Sequence, residues 1–280
     1  MSLDLPYMAT YADYGVLPPT QETAGGRTWI TRGAHFVVGL SELDSGAEVH
    51  RHHRDESFVL VARGSVGIQA GLHQVEAAAE TLSITPPGTQ RLVARTPSLV
   101  AWICTAREQE WAALASNAAL YAKGIPSAVA AAVPWPMPVG GFRLRHYVLA
   151  EHTRTGSVMR PFRSCTLMVN PLVKRAVPRD SRQLDPHVHT DFEQGSLVLQ
   201  GTYKHHLRYP WPPNLQDWRD DEHVSIGAPS LTVIPAGAIH TSHNVGHEPG
   251  WMVDIFGPPR RDFSLQPGMV CNESEYPLPE

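Results

Sequence analysis

Short apolar runs separated by polar and turn-forming clusters dominate the chain. Runs rich in Val, Ile, Thr and aromatic residues at 28–31, 34–40, 58–61, 142–150, 164–169 and 251–256 predict strands. The 25 prolines and 22 glycines fall at intervals that suit turns between them. One segment breaks the pattern: residues 106–123 carry Trp111, Leu114 and Leu120 amid Ala, Glu and Gln, which is helical composition and spacing. Gly124 and Pro126 end it, and the stretch 128–138 is too apolar for a solvated linker, so it is expected to lie against the body of the protein. Residues 1–25 read as an irregular lead-in, and a Pro-rich tail (Pro258, Pro259, Pro267, Pro277, Pro279) is expected to wrap the outside. The fold class is mainly β.

Length and composition narrow the function. A chain of 280 residues accommodates two domains of ordinary size. Apolar content of 42% and charged content of 18% are those of a soluble globular protein, and a net charge of −4 excludes the basic surface that nucleic acid requires. No apolar run approaches a membrane span, and residues 1–14, polar and acidic, read as neither signal peptide nor anchor. Cys104, Cys165 and Cys271 are isolated and odd in number, which suggests a reducing compartment, the cytoplasm, and packing roles.

The histidines are the chemistry. In the extended stretch Pro186-His187-Val188-His189, alternate side chains share a face, so His187 and His189 point the same way. Two adjacent imidazoles are costly to bury unless something uses their lone pairs, and a divalent metal is the commonest user. A turn then places Glu193 or Gln194 at the start of the next strand, and His240, after a Pro-x-Gly turn, closes the set from a third. The bland alternative is a group of hydrogen-bonded core histidines.

These stretches resemble the paired motifs of the cupin superfamily. The first, HxH followed by Glu or Gln and then by Gly, is matched by His187, His189, Gln194 and Gly201; the second, PxGxxHxxxN, by Pro235, Gly237, His240 and Asn244. The Gly expected six residues before the first His is Ser181. The resemblance implies a jelly-roll barrel with one divalent ion, Zn, Mn, Ni or Fe, held by His187, His189, His240 and an oxygen donor. Gln194 is the favoured donor, with Glu193 as the alternative, because choosing Glu193 makes the following strand one residue too long and reverses its facing. Some cupins that act on sugar acids carry a similar set of three His and one Gln.

An internal repeat doubles the barrel. His50 to His187, His52 to His189, Glu56 to Glu193 and Gly64 to Gly201 share one offset, 137 residues (187 − 50, 189 − 52, 193 − 56, 201 − 64). The expected organisation is a lead-in (1–25), an N-terminal cupin barrel (26–106), a helical and Pro/Ala-rich connector (107–141), a C-terminal cupin barrel (142–260) and a tail (261–280): a bicupin of the RmlC-like type. The first copy is degenerate. Arg91 stands where the metal His belongs and Ser57 where Gln194 does, and a guanidinium has no lone pair to donate. His50, His52, Glu56 and Arg91 therefore form a site expected to have lost its metal, with Arg91 pairing Glu56 or holding a small anion; the alternative is a surface-lying remnant.

Around the C-terminal site, Lys204, His206 and Arg208 share a strand face that is either solvated or a cationic wall for a substrate carboxylate. Trp211 and Trp218 either cap the cavity mouth or anchor their loop, His243 reads as a rim residue, and Asp254 is the candidate acceptor for orienting a ligand imidazole. The resemblance implies a metal-dependent enzyme acting on a small sugar acid or keto acid, and a neutral Gln194 in the donor set favours redox-neutral isomerase, lyase or hydrolase chemistry. An Fe(II) dioxygenase and a non-catalytic small-molecule-binding bicupin are the alternatives. The resemblance also implies dimerisation.

Overall fold

The computed structural model describes residues 8–279, so the outermost residues of the lead-in and tail lie outside it. Two jelly rolls stand in tandem. In the N-terminal barrel a seven-stranded sheet, ordered Arg145–Val148, Thr81–Thr85, Ser57–Arg63, Ser98–Thr105, Phe36–Leu43, Gly26–Arg32 and Gln21–Thr23, faces a four-stranded sheet of Glu48–His53, Gly88–Ala94, Ser65–Ala70 and His73–Ala78. In the C-terminal barrel a six-stranded sheet, Thr10–Asp13, Ser230–Ile234, Glu193–Gln200, Trp251–Gly257, Met168–Pro171 and Phe162–Arg163, faces His187–Val188, Ile239–Asn244, Thr202–Arg208 and Glu222–Gly227.

Two strands cross between the barrels. Thr10–Asp13, in the lead-in expected to be irregular, pairs antiparallel with Ser230–Ile234 of the C-terminal sheet. Arg145–Val148, expected in the second barrel, pairs instead with Thr81–Thr85 of the first. Each large sheet thus has an edge covered by a strand from the other half of the chain, which removes an exposed template for aggregation.

The large sheets are buried on both faces, which explains their continuous apolar runs. Phe58 and Leu60 join Phe36, Phe162, Leu197, Trp251 and Ile255 in one core between the barrels, while the alternating Val59 and Val61 fill the N-terminal barrel with Val66, Ile68 and Leu92. The connector is helical only in pieces, Gln109–Leu114 and Ala118–Tyr121, and its Ala112 and Ala115 pack on Trp102. The tail does more than wrap the outside: Tyr276 is 1% exposed and sits in the core between the barrels. Gly64 and Gly201 end equivalent strands at φ 83° and 79°. A Cβ at Gly201 would lie 2.9 Å from the Pro249 carbonyl oxygen, so backbone crowding adds to the conformational demand for glycine there.

The alternation fixes where the repeat's carboxylates point. Leu197 and Leu199 face the inter-barrel core and Val198 the barrel interior, so Glu193 belongs to the core face and Gln194 to the interior. Glu193 Oε2 accepts from the Ala34 N–H at 2.6 Å and the Tyr121 hydroxyl at 2.9 Å. Glu56 does the same in reverse, accepting from the Cys165 N–H at 3.1 Å and the Tyr276 hydroxyl at 2.8 Å. Each acid ties its barrel to a turn of the other barrel and to the segment that follows that other barrel. Burial pushes both carboxyls up from the usual range.

Candidate metal centre

His187 lies directly opposite His240 across the strand pair His187–Val188 and Ile239–Asn244, and opposed residues share a face. The ring centroids of His187, His189 and His240 are 4.4 to 5.1 Å apart, and one nitrogen from each lies within 4.8 Å of the others. His189 and His240 are 7% and 3% exposed, while His187 stands at the open side.

The surroundings orient these rings. His187 Nδ1 lies 2.9 Å from the Asp185 carbonyl oxygen and His240 Nδ1 lies 3.0 Å from that of Ala238. A carbonyl accepts only, so each Nδ1 carries the proton and each Nε2 keeps its lone pair, the tautomer a metal ligand needs. Burial, with neighbouring imidazoles and Arg260, pushes His189 down to about 3; burial likewise takes His240 to about 4. Both rings are neutral at any physiological pH.

Gln194 completes the set. Its Nε2 donates to Ser196 Oγ at 3.0 Å and to Asp254 Oδ1 at 3.2 Å, which turns the carbonyl oxygen toward the histidines. Gln194 Oε1 lies 3.0 Å from His189 Nε2 and 3.4 Å from His240 Nε2. Three imidazole lone pairs and one amide oxygen converge, a donor set that fits a divalent ion of the zinc to manganese range. Asp254 orients the amide rather than an imidazole, the partner the sequence suggested. Burial raises its carboxyl to about 7, against the pull of Arg260, Asn170 and Ser196.

Several expected site residues stand elsewhere. Glu193, the alternative oxygen donor, points away into the inter-barrel core. Lys204, His206 and Arg208 share a face, and of its two readings it is the solvated outer one and not a cationic wall: Arg208 is tied to Asp221 at 2.5 Å, and His206 Nδ1 meets His223 Nδ1 at 2.7 Å. Their buried alternates, Tyr203, His205 and Leu207, take the inner face, and that apolar alternation in the sequence marks the correct facing. Trp218 stacks on Trp211 at 4.1 Å, with both rings exposed, and neither lines the cavity. His243 does line it.

The cavity in front of the triad has a volume of about 540 Å³. Sequence reasoning missed its basic lining, Arg175, Arg179 and Arg260. The first two belong to the Arg- and Pro-rich loop before the HxH strand. Arg260 follows a Pro pair and is held by Asp262 at 2.5 Å and by the ring of Phe263, 3.5 Å from its guanidinium carbon. Met159, Met252 and Phe256 supply an apolar wall.

In the first barrel His50, His52 and Arg91 lie on the surface, the remnant reading, and form no cluster with Glu56. His50 pairs with Arg91 in register as His187 does with His240, yet the pair faces outward and Arg91 is bonded to Glu48 at 2.6 Å, not to Glu56. His52 is exposed, and Glu56 lies in the inter-barrel core. The cause is a one-residue slip of this strand pair against its neighbour: Arg91 lies opposite Gln69, the repeat equivalent of His206 (69 + 137), whereas His240 lies opposite Leu207, so Arg51 and His53 turn inward while His50 and His52 turn out.

No protein-family model and no curated protein sequence matches the chain. Solved structures do. The oxalate decarboxylase of Bacillus subtilis, in a study of its Mn(II) centres, superposes with a TM-score of 0.61 at 13% identity, over 95% of this chain and 84% of the other. The Lactobacillus farciminis oxalate decarboxylase formate complex gives 0.60 at 13%, over 89% and 86%. A cupin 2 conserved barrel domain protein from Leptotrichia buccalis gives 0.52 at 13%, over 92% and 100%. The fold is that of a bicupin. At such identity the likeness carries architecture alone, and AerE from Microcystis aeruginosa, at 0.58 and 8% identity over 91% and 99%, extends the bicupin's likeness to a further protein.

Proposed function

We propose that this bicupin is a metal-dependent enzyme that binds one divalent ion through His187, His189, Gln194 and His240 and acts on a small anionic oxygenated metabolite, a sugar acid or keto acid, without net redox change. One observation carries the reading: the Gln194 amide is locked by Ser196 and Asp254 with its carbonyl oxygen turned to the imidazoles. A bound ion would act as a Lewis acid toward a substrate carbonyl or hydroxyl. The chain's own part is to receive the substrate. Arg175, Arg179 and Arg260 place guanidinium charge around the cavity to meet a carboxylate, and the Met159, Met252 and Phe256 wall shields the reacting end from water. All four donors are neutral, so the site keeps the ion's full charge for the substrate, which favours anions and polarisation over stabilising a higher iron oxidation state. The decarboxylation of a small dicarboxylate named for two of the structural neighbours is one member of this class.

The free thiols of Cys104, Cys165 and Cys271 support a cytoplasmic setting, and among the described residues no helix is long and apolar enough to cross a membrane. The test is to purify the protein anaerobically, determine its metal, and assay sugar acids, keto acids, diketones and catechols while recording oxygen. Turnover without oxygen consumption, lost in His187→Ala and His240→Ala, is expected. Iron-dependent oxygen uptake would replace this reading with a dioxygenase, and tight ligand binding without turnover would replace it with a binding protein.

A further inference from the structure

The slip in the first barrel puts an unusual group of side chains inside it. Arg51 is 5% exposed, and among the described residues no ion pair includes it. Its Nη2 donates to Ser41 Oγ at 3.2 Å and its guanidinium lies 4.5 Å from the Trp102 ring centroid, but Nη1 is buried with no partner. His53, two residues along the same face, is 2% exposed, and both its ring nitrogens are buried without a partner. Gln90 lies directly opposite Arg51 in the strand pairing, is 1% exposed, and has an unpartnered Oε1. Its Nε2 reaches Ser57 Oγ at 3.4 Å.

A buried guanidinium with no countercharge is costly, and an aromatic face compensates only part of that cost. Arg51 Nη1 and a His53 N–H are donors that lack an acceptor, and what they lack in common is negative charge. We infer that the N-terminal barrel of this bicupin binds a small monovalent anion, of chloride to formate size, between Arg51 and His53. The repeat thus diverged by exchanging a cation site for an anion site, made by residues one position away from the HxH pattern. The site is separate from the metal centre of the other barrel.

The test is thermal unfolding at fixed ionic strength, with sodium formate or bromide replacing a bulky organic anion salt, on the wild type, His240→Ala and Arg51→Met. A saturable rise in midpoint of about 2 °C or more in the first two, absent in Arg51→Met, is expected. An equal response in all three, or none in the wild type, counts against the site. Crystals of the wild-type protein grown in bromide decide independently of how Arg51→Met folds. An anomalous peak or other anion density at Arg51 Nη1 supports the inference, and density for water alone there overturns it.

Discussion

Glu193 separates the two roles a carboxylate beside the HxH strand can play. In Glu193→Ala the Ala34 N–H and the Tyr121 hydroxyl lose the oxygen that accepts from both, at 2.6 and 2.9 Å. Each buried donor left unsatisfied costs about 1–3 kcal/mol. Relief of a desolvated carboxylate offsets part of this, so a net loss of about 3 kcal/mol is expected, or roughly 6–12 °C in midpoint for a protein of this size. Glu193→Gln keeps an acceptor and removes the titration. Because burial raises the folded-state pKa above the unfolded one, this carboxyl's contribution is intact below about 4.5 and falls as pH rises through the folded value. The stability of Glu193→Gln relative to wild type therefore improves with rising pH. Urea unfolding at pH 5 and pH 8 with parallel metal analysis tests both points. A loss below about 1 kcal/mol in the alanine variant, or metal loss in the glutamine variant, refutes the assignment of Glu193 to the inter-barrel core.

Three further outcomes follow from the geometry. His240→Ala is expected to lower bound metal to under about a tenth of wild type while far-UV circular dichroism stays unchanged, since one imidazole of the donor set is gone. Asp254→Ala frees the Gln194 amide to rotate and is expected to weaken metal affinity about 10–100-fold, measured by chelator competition, although Asp254 touches no imidazole. His205 is fully buried with its pKa pushed down to about 3, so the unfolded chain takes up its proton near 6.5 and the folded one does not. Its neutral form thus stabilises the fold above 6.5, and that contribution is lost as pH falls toward 3. The stability gap between wild type and His205→Asn should narrow by about 1–3 kcal/mol between pH 7 and pH 5, as read from urea midpoints.

The clustering of His187, His189, Gln194 and His240 was largely legible because its parts are local. HxH sets its own facing, PxGxxHxxxN brings its own turn, and the choice of Gln194 over Glu193 followed from strand parity, which the core cluster around Leu197 now reproduces. The same rule applied to 203–208 sends His205 inward and decides between the two readings of Lys204, His206 and Arg208 in favour of the solvated face; the apolar alternates Tyr203 and Leu207 were the signal. The first barrel misled because sequence identity with the second implied equal facing, whereas a one-residue slip against the neighbouring strand reverses every side chain. The exchanged strands Thr10–Asp13 and Arg145–Val148 were not legible, since a four-residue strand shows no marker for the sheet it joins. Arg260 was missed because its role depends on how the chain returns after Pro258 and Pro259, a long-range property that no local pattern encodes.

The convergence of His187, His189, Gln194 and His240 on one ion is tested most directly by X-ray absorption at the edge of the metal found in the purified protein. One metal per chain is expected, with three imidazoles and oxygen donors at about 2.0–2.2 Å, and with the imidazole count falling to two in His240→Ala. Protein that stays metal-free after supplementation, or an ion whose scattering shows no imidazole, would contradict the account.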